Sequence, residues 1–581
     1  MKFSIVLICR NEAKTIPRAI AGLKEFRQRG GEIVLLDTGS TDNSADIARL
    51  LGCVVEEVGD RFKFTIDAEL AQQINERFVV EGEAPVVKEG DKLFDYSKAR
   101  NYAATLAKNN MVAMPDCDEV FTRFDLDKIN AAIDAGNEQL EYDFVFAHDE
   151  HGNEIIKFLH CKFYDRTKMH WNGIVHEVLA GSAKRLYLPP EICKLEHWQL
   201  PSDHRCSYLT GLALDCFQNP QNDRNSHYFG REMLGTGRPK SAYKEFEHHK
   251  TLNGWHAETA QSVIFQGDCL LAMQQPANAV QKWQEAAVLD PSRREAWMRL
   301  ATHYWRQNEP QRAACHAAAA LVIPHVNFYA NNANHYRHEP HEILYWAMWW
   351  MGDKQGSFEH WTKAREYFPQ NQKYMDDSVY YLDMINPMVS IIIPTLGRDE
   401  QTKNLVDILP DICGWKNIEI LTPMDHFECR QGCPKTLKSG VHASKGEFVC
   451  FLGSDCTPKP DFLRKALECM YRKFPKADGL VSLNEGRWYG NIATHWLASK
   501  QLLPALDGEF FHTGYMHNGC DNELTGRCQL MGKYAWAEEA VIDPGWNNED
   551  EIHRIGQTSR EKDRALLKQR AEMLGFTHLL V

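Results

Sequence analysis

Long apolar runs are missing from this 581-residue sequence. A membrane helix needs roughly 20 successive apolar residues, and the apolar stretch Leu344 to Met351 stops at Gly352-Asp353. No secretory signal is legible: Phe3 to Cys9 is too short for a hydrophobic region plus cleavage site and reads as a first strand. An excess of positive charge is also absent. The formal net charge of −13 argues against a general polyanion binder and makes nucleic acid a less favoured partner. The 17 cysteines follow no regular spacing and an odd number cannot all pair, so they read as free thiols in a reducing compartment, with the cytoplasm as the expected location. The chain does have 44% apolar and 25% charged residues, the balance of a folded rather than a disordered protein. Its length suggests about three or four domains.

Residues 1–58 alternate strand and helix. Ser4 to Cys9 is a continuous apolar run, followed by the polar turn Arg10-Asn11-Glu12. Ile16 to Phe26 has helical periodicity, Gly30-Gly31 breaks it, and Glu32 to Asp37 is a second buried strand. Gly39 to Asn43 opens another helix, and Cys53 to Glu56 is a short third strand. Such alternation implies a parallel sheet covered on both faces. Residues 60–95 read as an inserted polar lobe, Tyr96 to Asn109 as a helix, and Met111 to Met114 as a strand ending in Pro115-Asp-Cys-Asp-Glu119.

From about 225 to 375 only helices are expected. Ala279 recurs as Ala313, a step of 34, and Pro291 recurs as Pro324, a step of 33, with Ala242 to Phe246 as an earlier copy. A period near 34 resembles tetratricopeptide repeats. The tryptophans of this block, such as Trp283, Trp297 and Trp361, are expected mostly in the inter-helix core, with a concave peptide- or glycan-reading face as the sharper alternative. At Asn386-Pro387 the strand–helix alternation restarts: Met388 to Pro394, Ile418 to Thr422 and Phe448 to Leu452 are strands, the last running into Gly453-Ser-Asp-Cys-Thr457.

Asp37 and the Asp116/Asp118/Glu119 cluster stand at the carboxyl ends of expected parallel strands, the edge where open α/β sheets bind ligands. Two carboxylates separated by one residue can converge on a hard divalent cation such as Mn²⁺ or Mg²⁺, leaving positions open for phosphate oxygens. Together with Ile5 to Glu12, Leu36-Asp-Thr-Gly-Ser-Thr-Asp-Asn43 and Lys98-Ala-Arg-Asn101, this order makes residues 1–200 resemble inverting glycosyltransferases of family two, which have the GT-A fold. The resemblance implies that Arg10 and Glu12 border the nucleotide of a UDP-sugar donor, with Ser40 and Lys98 on the same donor side. It implies that Asp37 accepts the N–H of a uracil-like base, that Asp116 faces the ribose or sugar, and that Asp118 holds the metal on the diphosphate. Arg100 either faces the donor or forms a structural ion pair.

Trp171 to Glu177 and Leu195 to Trp198 resemble blocks of the branch that includes lipopolysaccharide-core glucosyltransferases and bacterial peptide glycosyltransferases. Transfer needs a base within hydrogen-bond reach of the attacking group. Glu177 is the candidate, with Asp149 and Glu150 as rivals. His176 or His197 would complete the metal shell or touch phosphate.

Residues 388–581 resemble the same family more weakly. Arg398 follows the first strand and Asp455 stands at the metal strand, but in Ser454-Asp455-Cys456 one carboxylate remains where two or three are usual. Asp521, Glu523 and Glu549 offer others. The expected architecture is therefore α/β: two GT-A, Rossmann-like nucleotide-diphospho-sugar transferase domains at 1–220 and 388–581, the second possibly degenerate, flanking an all-α tetratricopeptide-like domain at 225–385. The expected function is metal-dependent, inverting transfer of a sugar, hexosyltransferase-like, to a hydroxyl or similar acceptor. The acceptor would be a peptide, protein or glycan bound in part by the repeats. The competing reading is a non-catalytic recognition or scaffold protein with relic transferase domains.

Overall fold

The computed structural model describes residues 1–148, 152, 154–198, 208–326, 328–397, 399–545 and 551–580. By its internal contacts the chain divides into two compact units, Met1–Gly352 and Asp353–Val581. Among the described residues no helix is long and apolar enough to cross a membrane, and every described cysteine is a free thiol.

The strands of the first unit are β1 (Phe3–Cys9), β2 (Ile33–Asp37), β3 (Val54–Glu57), β4 (Lys63–Thr65), β5 (Lys92–Phe94), β6 (Met111–Ala113), β7 (Glu119–Phe124), β8 (Gln139–His148), β9 (Glu154–Asp165), β10 (Met169–Asn172), β11 (Val178–Gly181), β12 (Arg185–Leu188) and β13 (Cys193–His197). A nine-stranded sheet runs β3-β2-β1-β6-β9-β8-β13-β7, with β12 added on β8. β1 lies parallel to β2 and β6. Val34, Leu35 and Leu36 are fully buried in succession, because a strand covered on both faces cannot alternate apolar with polar.

The second unit contributes β14 (Val389–Ile392), β15 (Ile418–Leu421), β16 (Phe448–Phe451), β17 (Thr457–Pro458), β18 (Leu480–Asn484), β19 (Trp496–Ser499) and β20 (Tyr534–Asp543). Its sheet runs β15-β14-β16-β19-β18-β20-β17. This order matches β2-β1-β6-β9-β8-β13-β7 strand for strand. The polarities match too: β14 is parallel to β15 and β16, β19 is antiparallel to β16 and β18, β20 is parallel to β18 and antiparallel to β17, and the first sheet repeats each relation.

Between Leu209 and Met351 the described residues are helical apart from turns and the segment between Leu321 and Glu339, which holds the short 3₁₀ helix Ala333–Tyr336. Pro239, Pro276 and Pro310 each open a helix, where the missing N–H costs nothing. Ala242, Ala279 and Ala313 are fully buried, so successive helices approach closely at each of them. The helix Lys354–Tyr367 lies in the second unit, where Arg365 donates to the carbonyl of Pro475.

The lobe at 60–95 is less polar in space than in sequence. Its helix Ala68–Phe78 and the following turn bury Ile74, Phe78, Val86 and Val87 against Leu212, Phe229 and Phe246 of the helical segment. Glu83 accepts from the backbone N–H of Lys240 at 2.8 Å and of Ser241 at 2.9 Å. It thereby caps a helix whose own N-cap residue, Arg238, supplies no side-chain bond.

Gly267 gives a sharp test of the helix packing. A Cβ at this position would stand 2.3 Å from the indole nitrogen of the buried Trp283. Alanine would gain about 1 kcal/mol of helix propensity, but overpacking costs about 1–3 kcal/mol. Gly267→Ala should lower the urea-unfolding midpoint, and a raised midpoint would show that Trp283 moves aside freely.

Candidate active site

The carboxyl ends of β1, β2 and β6 meet at one edge of the first sheet. The turns after β1 and β2 are laced together there. Asn11 adopts a left-handed φ of 57°, a conformation that asparagine tolerates, and its Oδ1 accepts from the backbone N–H of Thr41 at 2.7 Å. Ser40 Oγ accepts from the N–H of Asn11 at 2.9 Å, and Ser44 Oγ from that of Glu12 at 2.7 Å. Arg10 donates to the carbonyl of Thr38 at 3.0 Å and pairs with Asp60 at 3.3 Å. Arg10, Glu12, Asp37 and Ser40 thus line one place. Asp37 is buried; its Oδ1 accepts from the N–H groups of Gly39 and Ser40 at 2.9 Å each, and its Oδ2 has no hydrogen-bond partner.

A charged cluster occupies the other half of the edge. Arg100, on the helix Tyr96–Thr105, donates through Nε to Glu177 at 2.6 Å and through Nη2 to Asp116 at 2.7 Å, and its third nitrogen, Nη1, is buried without a partner. Lys162 on β9 donates to Asp116 Oδ2 at 2.6 Å and to Glu119 at 2.7 Å. Burial alone would raise the carboxyl of Asp116, but Arg100 and Lys162 outweigh it and hold the group well below the usual carboxylate range. Burial, with the charge of Asp116, leaves Glu119 raised despite Lys162. Glu12 is also raised, by burial and by the charges of Asp118 and Asp116 across the cleft.

Pairing of β13 with β7 sets His197 opposite Glu119. His197 Nε2 lies 3.0 Å from Asp118 Oδ2, and its ring stacks on Phe146 with centroids 5.3 Å apart. Burial lowers the imidazole, but the carboxylate of Asp118 more than compensates, so it is raised. His176 goes elsewhere. Its ring stacks on Tyr228 at 4.7 Å, and among the described residues no contact joins it to Asp116 or Asp118. Burial, with Arg224 and Arg231 nearby, pushes its imidazole down to about 4. Lys98 is largely exposed and pairs with Asp95 at 2.9 Å, away from the cluster. Lys162 is the residue that the sequence did not single out; it is one of two lysines, with Lys157, in an aromatic-rich strand. Asp149, Glu150, Arg398 and Glu549 lie outside the described residues.

In the second unit Asp455 follows β16, and its Oδ1 and His495 Nε2 both approach Gly453, at 3.0 and 3.2 Å from the place of a Cβ. His495 Nδ1 is 3.4 Å from Glu485, and burial with the charge of Glu485 pushes Asp521 up to about 6. The turn after β15 differs from its counterpart after β2. Asp425 is buried, and both its oxygens are spent on backbone N–H groups, of His426, Gln431 and Gly432, at 2.9 Å each.

Comparison with known proteins agrees with part of this geometry. Glycosyl transferase family 2 matches residues 4–54, a stretch that holds Arg10, Glu12, Asp37 and Ser40. No curated protein matches the chain. Among solved structures, MamA is 15% identical over 27% of this chain and 85% of its own, with a TM-score of 0.23. PilF of Pseudomonas aeruginosa is 13% identical over 29% and 72%, at 0.24. TTC0263, described as a thermophilic TPR protein of Thermus thermophilus, is 15% identical over 30% and 88%, at 0.23. At such scores these likenesses carry no argument about activity.

Lys162 holds two carboxylates, one of them fully buried, so Lys162→Met should cost about 3–5 kcal/mol in chemical denaturation at neutral pH. The depressed Asp116 contributes stability that is present above the ordinary carboxylate value and lost as pH falls through its folded value. The penalty of the variant should therefore shrink in acid. A loss below 1 kcal/mol at pH 7 would show that the cluster does not depend on the lysine.

Proposed function

We propose that the edge of the first sheet binds a uridine-diphosphate sugar and transfers the sugar, with inversion, to a hydroxyl or similar acceptor. The observation that carries this reading is Asp37 Oδ2, a buried acceptor with no partner inside the stretch that matches the transferase family. Leaving such an atom unpaired costs about 1–3 kcal/mol, and an imide N–H of a pyrimidine base would satisfy it. Arg10, Glu12 and Ser40 surround the same place.

Asp118 and His197 offer one oxygen and one nitrogen donor 3.0 Å apart, a set that fits Mn²⁺ and, less well, Mg²⁺. Bound there, the cation would neutralise charge on the leaving diphosphate. Asp116 is held by Arg100 and Lys162, so its role is to orient the donor sugar or ribose rather than to supply the main metal bond. His176, stacked on Tyr228, is set aside as a ligand.

Glu177 takes the part of the base. Its Oε1 is fixed by Arg100, which leaves Oε2 to accept the proton of the attacking hydroxyl. In one displacement the acceptor oxygen bonds to the anomeric carbon, the bond from that carbon to the diphosphate oxygen breaks, and the proton goes to Glu177. The buried Nη1 of Arg100 is a spare donor beside this path. The helical segment would hold a peptide, protein or glycan acceptor. In the second unit both oxygens of Asp425 are taken by backbone N–H groups, so donor recognition and transfer are assigned to the first unit.

Calorimetry of UDP binding to Asp37→Ala should show a loss of about 1–3 kcal/mol; unchanged affinity would overturn the base-recognition role. Hydrolysis of a UDP-sugar should need Mn²⁺ or Mg²⁺ and should disappear in Asp118→Ala while surviving in Asp455→Ala. Full activity in chelator, or equal loss in both variants, would refute the assignment.

A further inference from the structure

A second group of ligand-type side chains lies away from this edge, inside the helical segment. Asp223 opens the helix Asp223–Gly235, His249 stands near the end of Pro239–Thr251, and Glu258 in the first turn of His256–Ala272. One oxygen of each carboxylate and one ring nitrogen of His249 lie within 4.8 Å of one another. Two ligands bonded at about 2.0–2.2 Å to one ion stand no more than about 4.4 Å apart, so closing on an ion needs only small side-chain rotations.

The hydrogen bonds around the group leave its donors free. His249 is fully buried; its Nδ1 is 3.0 Å from Ser262 Oγ, and its Nε2 has no partner. Ser262 Oγ is also 2.7 Å from Nδ1 of the buried His227. The serine has one proton. If it donates to His227 it must accept from Nδ1–H of His249, which leaves Nε2 of His249 as a bare lone pair in a dry interior. A hydrogen bond from the other ring nitrogen is the usual way a metal-binding imidazole is fixed in tautomer and orientation. Burial keeps this imidazole neutral, pushing it down to about 4.

The carboxylates are equally unspent. Among the described residues neither Asp223 nor Glu258 has a lysine or arginine within ion-pair distance, although Glu258 is buried and feels the more distant charges of Arg224 and Arg231. Glu258 Oε1 accepts from the hydroxyl of Tyr329, which leaves Oε2. Asp223 Oδ2 is seated against Gly254, where a Cβ would come within 1.8 Å. A buried carboxylate with no cation nearby is costly, and the buried Glu258, facing the half-buried Asp223 and the buried imidazole of His249, is a cost that a bound cation removes.

We propose that Asp223, His249 and Glu258 form a binding site for one divalent transition-metal ion. The donor set of one imidazole and two carboxylates suits Zn²⁺. The site ties three consecutive helices together. Because Arg224, next to Asp223, donates to the carbonyl of His176 at 2.6 Å, it also steadies the loop that presents Glu177.

The test uses the full chain, stripped of metal and titrated with Co²⁺ as a spectroscopic probe and then with Zn²⁺. Asp118→Ala serves as background, so that failure of the transferase reading and failure of this one are told apart. Asp118→Ala should bind one Co²⁺ with the absorption of a low-coordinate site, and Zn²⁺ should displace it. Adding Glu258→Gln or Asp223→Asn should weaken binding at least tenfold, and adding His249→Gln should also shift the absorption band. Gly254→Ala, which evicts Asp223 while keeping every ligand type, should weaken binding to a similar degree. Absence of Co²⁺ and Zn²⁺ binding in folded Asp118→Ala, or unchanged binding and spectrum after the ligand substitutions, would overturn the proposal.

Discussion

The buried guanidinium of Arg100 is the interaction on which the cleft of the first unit depends. It joins a helix, the loop after β6 and the loop that ends at Glu177, segments up to 77 residues apart in the chain. Its planar, permanently charged fork holds two carboxylates in different directions from one buried point. With Lys162 beneath it, two cations face Asp116, Glu119 and Glu177, and Glu12 and Asp118 add further negative charge at the rim. The balance of the cleft is therefore acidic.

How much of this was legible depended on the kind of signal. Apolar runs such as Glu32 to Asp37 place their last residue at a strand end, so Asp37 and Asp116 could be put at the sheet edge from spacing alone. Their partners could not. Lys162 reaches Asp116 through the antiparallel pairing of β9 with β6, which no local pattern announces. His176 and His197 looked alike in sequence, and the pairing of β13 with β7 separates them. Residues 60–95 read as polar because their apolar positions, Ile74, Phe78, Val86 and Val87, are spread through a charged stretch. Repeats were visible through Ala279 and Ala313, whereas the prolines that open the helices, Pro276 and Pro310, gave the same period of 34 unnoticed.

The two sheets show how far architecture and chemistry can part. Strand order and polarity agree throughout, because both follow from where apolar runs fall and how they must be covered. The ligand edge obeys other constraints. After β2 a short turn leaves one oxygen of Asp37 unsatisfied; after β15 a longer turn uses every oxygen of Asp425 to hold itself together. One buried carboxylate keeps an unpaired oxygen and the other spends both on its own turn, at corresponding edges of the two sheets.

The lobe at 60–95 has a further consequence for how this chain can be divided. Ile74 and Phe78 find their cover not on the first sheet but on helices that begin only after residue 208, and Glu83 supplies the cap one of those helices lacks. A cut near residue 220 would strip an apolar face from one fragment and an N-terminal cap from the other. The helical segment is thus no interchangeable appendage. The lobe's apolar face and the helices that cover it are stable only together.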